Sequence, residues 1–277
     1  MKERQDTLDL KEDEKDEITK RAAITAVIVH EAIRKEGEDE LSRHPAALMW
    51  SGLAAGLSMG LSFLGKSLIT AYMPSQAAWT PLISNFGYTI GFLVVILGRQ
   101  QLFTENTLTA VLPLFHNRTI SYLWTVMRLW IIVLAANLAG VLLFALALWG
   151  TDIFGRDVKT AFLLIGEESL AMGFLPVLVK GIFAGWLIAL MVWLLPAAES
   201  AKVAIIIIIT YLLGLGEFAH IIAGSTEIFY VVLDGSASMG EGVFRFFIPT
   251  LIGNIIGGVT LVAALNHAQT MAGSRKT

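Results

Sequence analysis

Few residues in this chain could do chemistry inside its apolar stretches, and most of those sit in two short polar islands. His220 stands in the island GLGEFAHIIAGSTE, Gly214 to Glu227, with the apolar segments Ala201 to Leu215 before it and Ile221 to Leu233 after it. A second island, LFTENT from Leu102 to Thr107, follows Arg99, Gln100 and Gln101 and interrupts another apolar stretch. Thr104 and His220 can each donate a hydrogen bond, and the histidine can exchange a proton near neutral pH. Glu105, Glu217 and Glu227 add carboxylates. In a soluble core a lone histidine is ordinarily satisfied by a carbonyl, whereas in a membrane segment an ionisable residue is read first as functional. Metal chemistry is the weaker reading. Helical metal clusters pair His with carboxylate at i, i+3 or i+4, and Glu217 with His220 is the only such pair near the break. No metal site and no cofactor is expected.

The elements that must position these residues follow from composition and hydropathy. The 277 residues are 55% apolar and only 16% charged, which excludes an ordinary soluble domain and indicates a polytopic membrane protein. The formal net charge of −3 averages a highly charged N-terminal region with a nearly neutral remainder, and no basic patch supports nucleic acid binding. With no cysteine there is no disulfide framework, thiolate site or cysteine nucleophile. No cleavable signal peptide is expected, because charges run throughout residues 1–40.

Residues 1–43 form a charged region expected to be cytoplasmic. Up to Lys20 it is either disordered or a solvated helix. Between Ile18 and Ile33 the apolar positions Ile24, Val27, Ile28 and Ala32 recur at helical spacing. They predict either an amphipathic helix against the membrane or a neighbouring subunit, or a solvated lead into the first span. Residues 44–269 then hold six spans: His44 to Met73; a second opening near Pro81 and broken at LFTENT; Tyr122 to Trp149; Phe174 to Leu195; a fifth broken at His220; and Gly242 to Asn266. A loop or surface helix, Gly150 to Ser169, follows the third, and residues 270–277 form a short tail. Neither half of the fifth span reaches the ~20 residues that a crossing needs, although together they fit one. A break at bilayer depth is tolerated only where the backbone is buried in protein or lines a polar cavity. An even number of spans places both termini on one side, and the Lys/Arg-rich ends, including Arg275 and Lys276, place that side in the cytoplasm of a cell or inner membrane.

Span three contains NLAGVLLFALAL from Asn137 and span six NIIGGVTLVAAL from Asn254, 117 residues later; at the similar offset of 116, Thr104 maps onto His220. Gly52-x-x-Ala55-Gly56 in span one echoes Gly181-x-x-Ala184-Gly185 in span four. Three spans per repeat is an odd number, so the halves insert with opposite orientation. Interrupted segments at corresponding places in an inverted repeat point to a substrate pathway. The fold class expected is therefore an all-α membrane protein of six transmembrane helices in an inverted 3+3 repeat, an aquaporin-like protomer. Each second half-helix presents free N–H groups and roughly half a positive charge at its start. Two such ends converging attract an anion.

These residues carry a family resemblance over nearly everything after residue 44. LFTENT looks like the second-span break of the formate/nitrite transporter family and EFAHIIAG like its fifth-span break. The two Asn-x-x-Gly motifs resemble its third and sixth spans, and GIFAGWLIALMVW, Gly181 to Trp193, its fourth. The resemblance implies homopentamers with a pore in each protomer, carrying small monovalent anions or their conjugate acids such as formate, nitrite, hydrosulfide, acetate or lactate. It assigns Thr104 and His220 as the central pair, Phe103 as the aromatic beside the threonine, and Asn137 and Asn254 as asparagines flanking the pore. An apolar constriction of Tyr88, Phe92 and Leu213 precedes the pair, and Arg99 is placed on the same pathway.

The chain also departs from the family. A glutamate just before the histidine is Ala219 here, and asparagines of spans five and four are Gly224 and Gly185. Expected phenylalanines are Tyr88 and Leu213, Arg99 and Gln101 replace a small residue and an acid, and Glu105 and Glu217 are added carboxylates. Arg99 is expected either to pair with Glu105 or Glu217 or to supply the positive field that the half-helix dipoles only suggest. The reading is of a divergent transporter and not an enzyme. The alternatives are an aquaporin-like channel for small neutral solutes, disfavoured because neither break contains proline, and a membrane protein with a metal-dependent enzymatic role. A receptor or scaffold role for the charged tail is compatible with transport.

Overall fold

The computed structural model describes residues 24–74 and 77–274, and all of their regular structure is helical. The expected tail up to residue 23, and Arg275 and Lys276 with it, lie outside the described residues. In chain order the helices are α1 (Ala26–Ser42), α2 (Pro45–Tyr72), α3 (Thr80–Leu97), α4 (Phe103–Thr109), α5 (Val111–Asn117), α6 (Ile120–Trp149), α7 (Arg156–Leu170), α8 (Phe174–Leu194), α9 (Lys202–Leu215) and α10 (Ile221–Asp234). The last, α11, is the continuous helical stretch 239–274, with π-helical turns at Gly242–Phe247 and Gly257–Ala264. Five helices are long and apolar enough to cross a membrane by length and composition: α2, α3, α6, and the stretches Phe174–Ala197 and Met239–Thr270. Lys202–Leu215 is a shorter apolar helix. The region read as a loop or surface helix after the third span is helix α7, packed through Val158, Phe162 and Ile165.

Small residues set how closely these helices approach. On α2, a methyl group at Gly56 would strike the Asn137 carbonyl of α6; on α8, one at Gly185 would strike the Asn254 carbonyl of α11. The backbones touch at both crossings, as small-residue stripes allow in apolar surroundings. The two echoing Gly-x-x-Ala-Gly motifs therefore do the same work, each seating an asparagine-bearing helix.

Helix α1 packs on the bundle with one face and leaves on the other the apolar positions read from its sequence. Ile24, Val27, Ile28 and Ala32 stay exposed, and Val29, His30, Ile33 and Leu41 are buried. The reason lies in the polar contacts of that second face. Glu36 pairs with Arg99 at 2.6 Å, Glu40 accepts from Gln101 Nε2 at 2.8 Å and from Thr109 Oγ1 at 3.1 Å, and His30 Nε2 lies 3.0 Å from His267 Nδ1 on α11. Burial pushes the Glu40 carboxyl above the usual carboxylate range, against the opposing pull of those two hydrogen bonds.

Candidate functional site

Two helix breaks, between α3 and α4 and between α9 and α10, meet near the centre of the bundle, and their local geometry is the same. Each preceding helix ends with a carbonyl accepting from three residues past its end: Gln100 N donates to Val95 O at 3.0 Å, and Phe218 N to Leu213 O at 3.0 Å. Each contains a non-glycine residue in the left-handed region, Arg99 at φ 53° and Glu217 at φ 49°. Such a residue costs about 1–2 kcal/mol, and strained backbone of this kind gathers at functional sites.

Each following helix is then held by one asparagine. Asn137 Oδ1 accepts from Phe103 N at 2.9 Å, while its Nδ2 donates to Gly52 O at 2.8 Å and Gln101 O at 2.9 Å. Asn254 Oδ1 accepts from Ile221 N at 2.9 Å, while its Nδ2 donates to Gly181 O at 2.9 Å and Ala219 O at 2.8 Å. Both side chains are fully buried. A buried amide with every group used fixes backbone that would otherwise be left unpaired at the break.

These contacts also set the register. Phe103 matches Ile221, Gln101 matches Ala219 and Arg99 matches Glu217, each 118 residues apart. Thr104 is therefore not the counterpart of His220. His220 caps α10 from outside, its partner by register is Leu102, and Thr104 lies inside α4. The two nevertheless meet, Thr104 Oγ1 and His220 Nε2 at 2.8 Å, both buried.

The ring orientation of His220 fixes its protons. Ala223 N donates to His220 Nδ1 at 3.1 Å, closing the N-cap of α10. Nδ1 must accept that bond, so the neutral ring carries its proton on Nε2 and donates it to Thr104 Oγ1. The threonine keeps its own hydroxyl proton for a further acceptor.

The remaining expected residues fall into two groups. Phe92 lies edge-on to the His220 ring with centroids 5.0 Å apart, and Tyr88 follows at 5.5 Å from Phe92. Tyr88 and Leu213 share a pocket with His220, completed by Lys66, Ser169, Glu227 and Phe246. Phe103 turns away from the pair and meets Trp130 edge-on at 5.8 Å. Arg99 pairs with neither Glu105 nor Glu217; its guanidinium, 79% exposed, reaches Glu36 on α1. Glu217, 65% exposed, pairs with Lys180 at 3.0 Å and so is not a metal partner for His220. Among the described residues no group of three or more His, Asp or Glu is placed to hold a metal ion.

A second cavity opens on the other side of the breaks, with Glu36, Glu40, Arg99, Gln101, Glu105 and Lys202 in its walls. Sequence reasoning missed the network behind it: Asn106 Nδ2 donates to Gln101 Oε1 at 3.1 Å, and Trp130 Nε1 donates to Asn106 O at 3.0 Å. Gln101 and Asn106, polar residues five apart in an apolar run, were the available signal.

Residues 27–268 match the family model described as "Formate/nitrite transporter". The inner membrane protein YfdC of Escherichia coli is 43% identical over 244 residues, covering 88% of this chain and 78% of that one. The formate channel FocB of Escherichia coli is 25% identical over 258 residues, covering 83% and 89%. A solved structure titled as a pentameric formate channel with formate bound superposes with a TM-score of 0.70 at 20% identity, over 86% of this chain and 99% of that one, and so shares its fold. With its family model matched over most of its length, the chain belongs to the formate/nitrite transporter family.

Proposed function

We propose that this protein carries a small monovalent anion, or its conjugate acid, across the membrane through a pore in each protomer, with Thr104 and His220 at the centre. The observation that carries this reading is the 2.8 Å contact between the two side chains where two helix breaks meet, with a cavity on either side. The names of FocB and of the superposable channel put formate first among cargoes to test.

In this reading residues 44–269 make six spans in an inverted 3+3 repeat, spans two and five being α3 with α4–α5 and α9 with α10. Matching hydrogen bonds of Asn137 and Asn254 support it. Residues 1–43 and 270–277 are cytoplasmic tails, the location is the cell or inner membrane, and the assembly is a homopentamer, as in the superposable channel. The pathway runs past Tyr88, Phe92 and Leu213 to the pair, with Phe103, Asn137, Asn254 and Arg99 supporting or flanking it.

An anion in low dielectric costs several kcal/mol more than its neutral acid, so flux depends on pH. The test is uptake of radiolabelled formate, nitrite, acetate and lactate into proteoliposomes at two pH values, by the unmodified protein and by His220→Phe. Uptake that is abolished or rectified in the variant supports the pair's role; an unchanged rate and pH profile removes it.

A further inference from the structure

Glu227 lies in the pocket of His220 without an assigned task. Of the three carboxylates lining that pocket, Glu168 and Glu217 are exposed, while Glu227 is only 6% exposed. It stands seven residues beyond His220 on α10. Both side chains line the one pocket, and at 1.5 Å per residue Glu227 stands about 10 Å along the axis from the capped end of the helix. Over Gly224, one turn past His220, packs the ring of Phe246, which lines the same pocket.

The carboxyl of Glu227 is held but not neutralised. Ser169 Oγ donates to one oxygen at 2.5 Å, and the other has no hydrogen-bond partner among the described residues. The titratable and charged groups facing it are Lys66 from α2, Tyr88 from α3, Glu168 from α7 and Glu217 at the second break. No cation among the described residues lies within 4.0 Å of it, and Lys180 is taken by Glu217. His220 cannot readily serve the same pocket as a proton donor. Its Nδ1 is engaged by Ala223 N and its Nε2 by Thr104, so taking up and releasing a second proton would break the cap of α10.

We infer that Glu227 is the proton donor to a weak-acid anion entering this pocket. The carboxyl O–H bond breaks, a bond forms between that proton and an oxygen of the anion, and a Glu227 carboxylate remains; the neutral acid proceeds to Thr104 and His220. The carboxylate reloads its proton from water at the pocket mouth. This inference rests on the transport reading above.

The test compares the unmodified protein with Glu227→Gln in proteoliposomes, using radiolabelled formate and radiolabelled acetate. Glutamine still offers an acceptor to Ser169 and has no acid proton to give. The ratio of unmodified to variant uptake should rise at least about fivefold between about pH 7.5 and about pH 5.5, because more Glu227 carboxyls carry a proton at the lower pH whereas glutamine never carries one, and the substrate's own ionisation is common to both proteins. A ratio that stays flat across that range reduces Glu227 to a structural role and overturns the inference while leaving the transport reading intact. Should Glu227→Gln fail to assemble, Ser169→Ala decides. It should move the acid limb of the profile along the pH axis, and an unmoved limb overturns the inference. If the unmodified protein takes up neither compound at either pH, the transport reading falls and this inference with it.

Discussion

Thr104 Oγ1 and His220 Nε2 lie 2.8 Å apart although the two residues are not counterparts. The breaks superpose in register with Phe103 on Ile221, which places Leu102 opposite the histidine and sets Thr104 inside its helix. Near-identical backbone frames thus hold unlike side chains, and the histidine alone doubles as a cap. Its tautomer is fixed by the fold, because the Ala223 N–H that caps the helix can only donate.

Two roles of His220 therefore separate by substitution. Asparagine is a good N-cap but too short to reach Thr104, so His220→Asn should keep stability and lose uptake. His220→Phe loses both, and its cost in stability should be about 1 kcal/mol, the usual value of a lost cap. Thermal unfolding in detergent alongside formate uptake checks this. Equal instability of the two variants would mean that the ring is not the cap.

Asn137 and Asn254 each close three hydrogen bonds at a break. Replacing either with alanine strands one backbone N–H and one break carbonyl, Gln101 O or Ala219 O, in a buried site, at about 1–3 kcal/mol per unsatisfied group; Gly52 O and Gly181 O sit inside helices and keep their own partners. Both variants should unfold at clearly lower temperature. Aspartate, which keeps the acceptor for Phe103 N or Ile221 N but offers no donor, should rescue neither. Differential scanning of the purified protein decides it, and an undisturbed melting temperature in either alanine variant would contradict the proposed frame.

Much of this was legible in the sequence because a break in an apolar run leaves a strong mark. The two polar islands, the paired Asn-x-x-Gly motifs and the Gly-x-x-Ala-Gly echoes all fall where the helices break or cross. What hydropathy could not supply was register finer than a helical turn. The offset of 116 joined Thr104 to His220 by chemistry, whereas backbone hydrogen bonds place the offset at 118. Hydropathy also could not supply the partners of the two left-handed residues, Glu36 for Arg99 and Lys180 for Glu217. The face of α1 that meets the bundle was not read from hydropathy, because it joins Glu36, Glu40 and His30 to Val29, Ile33 and Leu41.

Gly224 and Phe246 form a fitted pair. A methyl group at Gly224 would run into the tip of the Phe246 ring, which is itself buried. Gly224→Ala should therefore destabilise by about 1–3 kcal/mol through overpacking, and Phe246→Leu should recover part of that loss when combined with it. A double-mutant cycle on thermal stability measures the coupling. Additive effects would show that the two positions do not press on each other.

Glu40 gives a pH-dependent docking of α1. Its carboxyl is buried and held above the usual range, desolvation being the larger cause, with Gln101 and Thr109 pulling the other way. The folded state then binds this proton more tightly than the undocked helix does. Docking is accordingly favoured by this group at low pH, and it weakens as pH rises from the ordinary carboxylate value of 4.5 through the raised folded one. Glu40→Gln keeps an acceptor and removes the charge, so it should hold α1 more tightly at neutral pH and flatten that dependence. Hydrogen exchange of the amides of residues 26–42, followed from acid to neutral pH, reads the effect directly. Faster exchange in the glutamine variant at neutral pH would reverse the sign and show that the Gln101 and Thr109 hydrogen bonds to the ionised carboxylate outweigh its desolvation.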